Sequence, residues 1–217
     1  MGLSVTVTNN CNVGTTGSTS VPIVPLAPSS VDAHAVAATT IHVSWAGGTG
    51  SSYRVLRAAT KSADQAGSWT IVADGVTGSS FDDSGVAANA AYLYRVQSIG
   101  NGLLSAPSAF DIAAAIVFTT DPDLIIRAVD WTDMRKGVRA LCIAAQINMS
   151  QCTFTDALSD GVTQAPLTEI RKVHLMDLRS ALNASRLALG LGAAGFAEPD
   201  PSDVKLSQVD EIRGGVR

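Results

Sequence analysis

The sequence has no long apolar run and little charge. None of its apolar stretches reaches the roughly 18 residues that a membrane-spanning helix needs, so no membrane partner is predicted. The first twelve residues, MGLSVTVTNNCN, lack both a basic start and a continuous apolar segment, so a secretory signal is not expected there. Charged residues make up 16% of the 217 residues and hydrophobic ones 46%, which is enough for two modest domains.

Basic patches are absent as well. Residues 1–120 carry six acidic and four basic residues, and residues 121–217 carry thirteen and eleven, so each part has a net charge of −2 and the chain −4. Nucleic-acid binding depends on clustered lysine and arginine that neutralise phosphates. Nucleic acid is therefore not an expected partner.

Cysteine is scarce, with only Cys11, Cys142 and Cys152. Three cysteines are too few for a disulfide scaffold, and their spacing is not that of a metal site. Cys142 and Cys152 could pair and leave Cys11 free, or all three could remain thiols. The odd number leaves the redox compartment open.

Residues 1–24 are poor in core-forming side chains and rich in Thr, Ser, Asn and Gly. Within them LSVTVT alternates with a period of two, which is typical of a short strand. Two interpretations remain open: a disordered terminus, or an extended arm that adds a strand to a neighbouring subunit. In the second, Leu3 and Val5 are candidate partner-binding residues, and the partner is another structural protein or a copy of this chain.

Residues 25–118 contain short alternating segments separated by turn signals every 8 to 12 residues. Examples are the segments TIHVSW at 40–45, YRVLR at 53–57 and YLYRV at 92–96. This spacing predicts an all-β sandwich.

About 90 of these residues resemble the fibronectin type III domain, an immunoglobulin-like β-sandwich. The resemblance rests on PLAP at 25–28, on Trp45, on AYLYRV at 91–96 and on GLLSAPS at 102–108. It implies that Trp45 is the core tryptophan and that Tyr92 or Tyr94 forms the tyrosine corner. It also implies a spacer or binding module without catalysis of its own, and the Arg-Gly-Asp tripeptide of integrin-binding members is absent.

Residues 121–217 predict a small α-helical domain with three repeats. The segments IRAVDWTDMR at 126–135, IRKVHLMDLR at 170–179 and VKLSQVDEIR at 204–213 align with each other, and Phe-Thr-Asp and Phe-Ala-Glu precede the second and third. These segments resemble the helical repeats that follow fibronectin type III modules in some bacterial secreted proteins. The predicted fold class is therefore multidomain β plus α.

His174 and Asp177 in the second segment suggest an active site, but the alignment favours helix capping. The His174 position holds Asp130 and Gln208 in the other segments, so we predict that it is the N-cap. The Asp177 position is always acidic and is predicted to be the third helical residue, as in a capping box. A hydrophobic staple is expected at the first two caps, from Val129 to Met134 and from Val173 to Leu178. It should be weaker or missing at the third, where Ser207 takes the Val place.

One arginine recurs in every segment, two places after the acidic position. Residues two apart on a helix do not face each other, so these arginines either pair across helices, face solvent, or form a partner-binding face. They are Arg135, Arg179 and Arg213.

No metal, nucleotide or nucleophile motif occurs in the chain, so no catalytic residue, cofactor or metal is predicted. Three functions are compatible with the sequence. The first is a virion component, such as a bacteriophage capsid-decoration or tail protein made in the host cytoplasm. The second is a secreted or cell-surface adhesion module that binds glycans. The third is an enzyme assembled from scattered residues such as His42, Asp82 and His174, and the virion component is the preferred prediction.

Overall fold

The computed structural model of the chain describes residues 22–61, 69–118, 126, 128–156 and 170–216. Its first part is made of strands and its last part of helices, as the sequence predicts. The strands are β1 (Pro28–Ala37), β2 (Thr40–Gly47), β3 (Ser52–Ala58), β4 (Thr70–Val76), β5 (Ser80–Asp83), β6 (Ala91–Gly100), β7 (Leu103–Leu104) and β8 (Asp111–Ala114).

The strands form two antiparallel sheets packed face to face. One sheet has the order β1-β2-β5; the other has the order β4-β3-β6-β7, and β8 also pairs with β6. The alternation of β2 turns Ile41, Val43 and Trp45 inward, where they are buried between the sheets. The predicted β-sandwich is therefore confirmed.

Trp45 occupies the core position that the family resemblance implied. Its side chain is buried, and its ring centroid lies 5.2 Å from that of Tyr53. The hydroxyl of Tyr92 accepts a hydrogen bond from the backbone N–H of Ala87 at 3.0 Å. A bond from this tyrosine to the backbone a few residues upstream defines a tyrosine corner, so the corner residue is Tyr92.

Tyr94 is fully buried and serves a different purpose. Its hydroxyl donates to Oδ2 of Asp83 at 3.0 Å, and Arg57 donates to the same oxygen at 2.8 Å. Burial, with the nearby Asp83 charge, raises the pKa of Tyr94 far above its ordinary value. The buried carboxylate is thus satisfied by two side-chain donors, which offsets the cost of its desolvation.

Among the residues that the structure describes, three α-helices follow the sandwich, as the fold-class prediction requires. They are α1 (Ala128–Ala144), α2 (Lys172–Leu189) and α3 (Leu206–Val216), with a short 3₁₀ helix at Met149–Gln151. Within the described part of the chain, none of the helices has the length and apolar character to cross a membrane. The resemblance to bacterial helical repeats stays a prediction.

The helices pack on the outer face of the larger sheet. Their apolar side chains, including Trp131 and Leu141, belong to the same buried cluster as Leu93 of β6 and Ile112 of β8. The sequence predicts a separate core for each region. In the structure the sandwich has a core of its own between the two sheets, and the helices share their core with the outer face of the larger sheet, because β6 and β8 present apolar side chains on both faces.

Small side chains mark the places where the helices approach most closely. A Cβ atom added at Gly137 of α1 would lie 2.7 Å from Val216, and one added at Gly215 of α3 would lie 2.6 Å from Leu182. Gly137 and Gly215 occupy the same column of the alignment, and α2 has the buried Ala181 there. The helix contacts therefore depend on this column staying small.

The predicted helix starts were three residues too late. α2 begins at Lys172 with Arg171 as its N-cap, so His174 is the third helical residue. The side chain of Gln208 likewise accepts from the N-cap N–H of Lys205 at 2.9 Å. The His174 column, and not the Asp177 column, thus supplies the reciprocal bond of a capping box.

The predicted hydrophobic staple was wrong for the same reason. Val129 and Val173 are exposed. Ile126 and Ile170 lie three residues earlier in the chain. They pack on the core cluster that contains Trp131 and Leu175, the fourth residues of α1 and α2. That spacing, from the residue before the N-cap to the fourth helical residue, is the one a staple requires.

Candidate functional site

His174, which suggested an active site in the sequence, is completely buried near the start of α2. Its Nδ1 accepts a hydrogen bond from the backbone N–H of Arg171 at 3.1 Å, so Nδ1 carries no proton. Its Nε2 then carries the proton and donates to Oδ2 of Asp156 at 2.8 Å. Both ring nitrogens are therefore occupied in one neutral tautomer.

Asp156 comes from the segment before α2 and closes the arrangement on its solvent side. Its Oδ2 also accepts from Arg171 at 2.7 Å. The hydrogen bond from His174, with a second from Arg171, lowers the pKa of Asp156 below its ordinary value. Asp156 is thus held as a carboxylate, a poor proton acceptor for chemistry near neutral pH.

The start of α3 has the same geometry with different side chains. Oε1 of Gln208 accepts from Lys205 N–H, and Nε2 of Gln208 donates to Oε2 of Glu198 at 3.0 Å. The side chain of Lys205 also donates to that oxygen at 2.9 Å, and this bond is the main cause that lowers the pKa of Glu198. A glutamine cannot exchange protons, so the position requires only one acceptor and one donor.

Asp177 is not a partner of His174 in the described hydrogen bonds but holds a different backbone group. Its Oδ2 accepts from the N–H of Thr155 at 2.6 Å. In the next segment Glu211 accepts from the N–H of Ala197 at 3.0 Å. In these two segments the recurring acid therefore fixes the short stretch that precedes α2 or α3, where Asp156 and Glu198 also lie.

The recurring arginines complete this arrangement from inside the protein. Arg135 stacks on Phe154, with its guanidinium carbon 5.4 Å from the ring centroid, and donates to the carbonyl of Thr155 at 2.6 Å. Arg179 stacks on Phe196 at 4.4 Å and donates to the carbonyl of Glu198, also at 2.6 Å. Each arginine thus binds the segment that precedes the next helix in the chain.

Arg213 makes the third of these arginine contacts. It stacks on Phe118, which precedes α1, at 5.7 Å, and donates to Oδ1 of Asp130 in α1 at 2.7 Å. Helix α1 therefore holds the segment before α2, α2 holds the segment before α3, and α3 reaches back to α1. The three helices form a closed set of equivalent contacts.

Burial argues against the partner-binding interpretation of Arg135, Arg179 and Arg213, because all three are at most 9% exposed. Burial lowers the pKa of Arg135, opposed by the charges of Asp177 and Asp156. Leu3 and Val5, the other candidate partner-binding residues, lie outside the described residues. The guanidinium groups are better understood as internal supports than as a surface for recognition.

A disulfide joins Cys142 of α1 to Cys152, and both residues are buried. It joins the end of α1 to the residues just before Phe154. The alignment places Arg186 of α2 opposite Cys142, and Arg186 donates to the carbonyl of Gly192 in the corresponding turn at 3.2 Å. Of the two alternatives that the sequence left open, the structure shows the pairing of Cys142 with Cys152. Cys11 lies outside the described residues.

One structural residue carried no signal in the sequence. Lys61, in the loop after β3, donates its backbone N–H to the carbonyl of Ala144 at 2.7 Å and its side-chain ammonium to the carbonyl of Ala188. These carbonyls are at the last turns of α1 and α2, where a cation is favourable. Asp156, by contrast, could have been found, because an acid follows Phe by two places before α2 and α3.

The comparisons with known proteins concern the sandwich alone. No family model and no curated protein matches the chain. An Fn3-like protein from Clostridium thermocellum is 28% identical over 42% of this chain and 92% of its own, with a TM-score of 0.37. The FN5 domain of Drosophila Lar is 22% identical over 42% and 95%, with a TM-score of 0.36. The sixth fibronectin type III domain of human fibronectin type III domain containing protein 3 is 20% identical over 48% and 95%, also at 0.36.

Because these TM-scores are below 0.5, the fold assignment does not depend on the solved structures. The assignment rests on the two-sheet order, on the buried Trp45 and on the hydroxyl bond of Tyr92. The chain therefore contains a fibronectin type III-like β-sandwich, the fold of structural and adhesion-type modules, followed by three helices.

Proposed function

We propose that this chain is a non-enzymatic adhesion module that works at a cell surface or in the secreted space. The observation that carries this proposal is the buried disulfide between Cys142 and Cys152. Disulfides persist in oxidising compartments and are rare in the reducing cytosol. The fibronectin-like sandwich suits a role in binding or spacing, and surface glycans are the partner class that we propose.

The absence of catalysis is proposed from the chemistry of the capping sites. His174 spends both ring nitrogens on structural bonds, and Gln208 makes the same two bonds in the next segment. An enzyme that used His174 as a base would need a nitrogen free to take a proton. The proposal therefore treats the most reactive-looking side chains as parts of the framework.

The compartment can be tested by thiol alkylation of the protein taken from its own cells. Alkylation before and after reduction, followed by mass spectrometry, should find Cys142 and Cys152 protected until reduction. The protein should fractionate with the cell surface or the medium. If both cysteines are freely alkylated in freshly lysed cells without reduction, the proposed compartment is wrong.

The partner can be tested with a glycan array and the full chain. Saturable binding to one glycan class, competed by the free sugar, would support the adhesion role. The matched control is the chain with Trp45 replaced by Ala, which should unfold the sandwich and lose binding. A properly folded chain that binds no glycan would remove glycans from the proposal and leave a protein partner.

A virion component is the second candidate, and strand addition favours it. Strands β4 and β5 each pair with a single neighbour in the described sheets, so each has an edge that a strand can join. The alternating segment with Leu3 and Val5 has the pattern of such a strand. Deleting residues 1–24 should leave the sandwich folded but abolish incorporation into particles; normal incorporation would sink this candidate.

A further inference from the structure

Two of the three histidines of the chain lie side by side on the outer face of the β1-β2-β5 sheet. His34 of β1 is opposite His42 of β2, and His42 is opposite Asp82 of β5. The ring centroids of the two histidines are 5.3 Å apart. Their strand neighbours Ala33 and Val43 point into the core, so both imidazoles are on the solvent side of the sheet.

A carboxylate orients each of these imidazoles in the same way. Nδ1 of His34 is 3.0 Å from Oδ2 of Asp32, and Nδ1 of His42 is 2.5 Å from Oδ1 of Asp82. A carboxylate only accepts hydrogen bonds, so Nδ1 holds the proton of each neutral ring and the Nε2 lone pair is available. Histidines that bind metals are held in this manner, with the second ring nitrogen bonded to a carboxylate.

This arrangement differs from that of His174 in the property that matters for a ligand. His174 is buried and uses both nitrogens, whereas His34 and His42 have about a third of their side chains exposed. The helices cover the larger sheet, so they leave this face of the smaller sheet open. The two surface imidazoles can therefore reach a solute.

We propose that His34 and His42 together bind one divalent transition-metal ion, of which Zn²⁺ is the representative, through their Nε2 atoms. Imidazole nitrogen is a preferred ligand for Zn²⁺, Cu²⁺ and Ni²⁺. No group of three or more His, Cys, Asp or Glu side chains in the described residues is arranged to hold a metal. Two imidazoles are thus the protein ligands, and water completes the coordination. Asp32 and Asp82 act as positioning residues that also supply negative charge.

The test is a calorimetric titration of the full chain with ZnCl₂, repeated for His34→Gln and His42→Gln. Wild type should bind one ion per chain, and each variant should lose saturable binding because a single imidazole remains. His174→Gln is the matched control, since it removes the buried histidine and should leave the binding curve unchanged. Circular dichroism on every variant separates loss of a ligand from loss of the fold.

A second readout distinguishes coordination from nonspecific binding. In ¹H–¹⁵N spectra of the imidazoles, Zn²⁺ should shift Nε2 of His34 and His42 while Nδ1 stays protonated. Asp82→Asn should weaken binding by about tenfold, the usual lower cost of losing an orienting carboxylate. The proposal is overturned if wild type shows no saturable binding, if the double histidine variant still binds, or if each single variant keeps the wild-type affinity.

Discussion

The starts of α2 and α3 are built from different side chains in one arrangement. At α2 a histidine accepts from the N-cap N–H and donates to Asp156; at α3 a glutamine accepts and donates to Glu198 in the same way. The two starts share a pattern of one acceptor and one donor, and they do not share an acid–base group. An apparent histidine–aspartate pair can therefore be a structural cap.

The turns that follow α1 and α2 form a second such pair. After α1 the turn is tied by the Cys142–Cys152 disulfide, and after α2 it is tied by two hydrogen bonds: Arg186 donates to the carbonyl of Gly192, and Asn183 Oδ1 accepts from the N–H of Ala194. Cys142 and Arg186 hold the same alignment position. A covalent bond and a set of hydrogen bonds therefore do equivalent work in one molecule, and variants can measure the difference.

The largest expected effect comes from breaking the support that α2 gives to α3. Arg179→Ala removes a buried guanidinium and leaves Glu211, its partner at 2.9 Å, without its strongest donor. We expect a loss of about 3–5 kcal/mol in the free energy of unfolding, measured by urea denaturation. Arg171→Ala, on the exposed side of α2, is the control and should cost far less; equal losses would contradict the buried role of Arg179.

Replacing Cys142 and Cys152 together by Ala should have the next largest effect. A ten-residue separation predicts a loss of about 2–3 kcal/mol in the free energy of unfolding, because the unfolded chain regains the entropy of an open loop. Arg186→Ala in the equivalent turn should cost less, at or below about 1.5 kcal/mol, the low end for hydrogen bonds from a charged donor, because its bond to Gly192 is exposed to solvent. If Arg186→Ala costs more than the double cysteine variant, the ranking of the two ties is reversed.

Exchanging the cap residues should show that His174 needs no acid–base chemistry. His174→Ala leaves the N-cap N–H of Arg171 without its acceptor and should cost about 2 kcal/mol of unfolding free energy. His174→Gln restores both bonds and should cost about 1 kcal/mol or less, mainly through its lost edge contact with Trp131. Equal costs for Ala and Gln, seen in thermal or urea melts, would mean that the two bonds are not what the position supplies.

The smallest effect is a pH dependence centred on Asp156. Its pKa is lowered in the folded state, so the folded state holds fewer protons than the unfolded state when pH falls below the ordinary value of 3.8. The stability from this carboxylate is therefore complete above that value and is lost as the pH falls through the lowered pKa. The difference in melting temperature between wild type and Asp156→Asn should stay constant down to about pH 4 and shrink as the pH falls from there to about pH 2, and a difference that stays constant over the lower range would contradict it.

Much of the architecture was accessible from sequence patterns. The period-two alternation around Trp45 and through β6 predicted the sandwich, and the aligned segments predicted three helices of the right kind in the right places. The helix starts were misplaced because the His174 column was predicted to be the N-cap, whereas its side chains sit at the third helical residue and accept from the N-cap N–H. Asp156 lies 18 residues before His174, and no local spacing shows that the two meet.

The position of the candidate site was found, but its character was not. The alignment predicted that His174 takes part in capping a helix, but it placed His174 at the N-cap, whereas His174 is the third helical residue and Arg171 is the N-cap. It could not show that Arg135, Arg179 and Arg213 are buried, because a buried arginine and a solvated one have the same spacing. Their stacking on Phe154, Phe196 and Phe118 arises only when all three helices are assembled.

Local features could be read from the sequence: which segments alternate, which are helical, and which positions recur. These follow from side-chain periodicity and from the chemistry of single residues. The sequence did not show which groups meet: the disulfide partner, the donor on each carboxylate, and the packing of the helices on the larger sheet. Such contacts join different segments of the chain, so they form only when packing has brought those segments together.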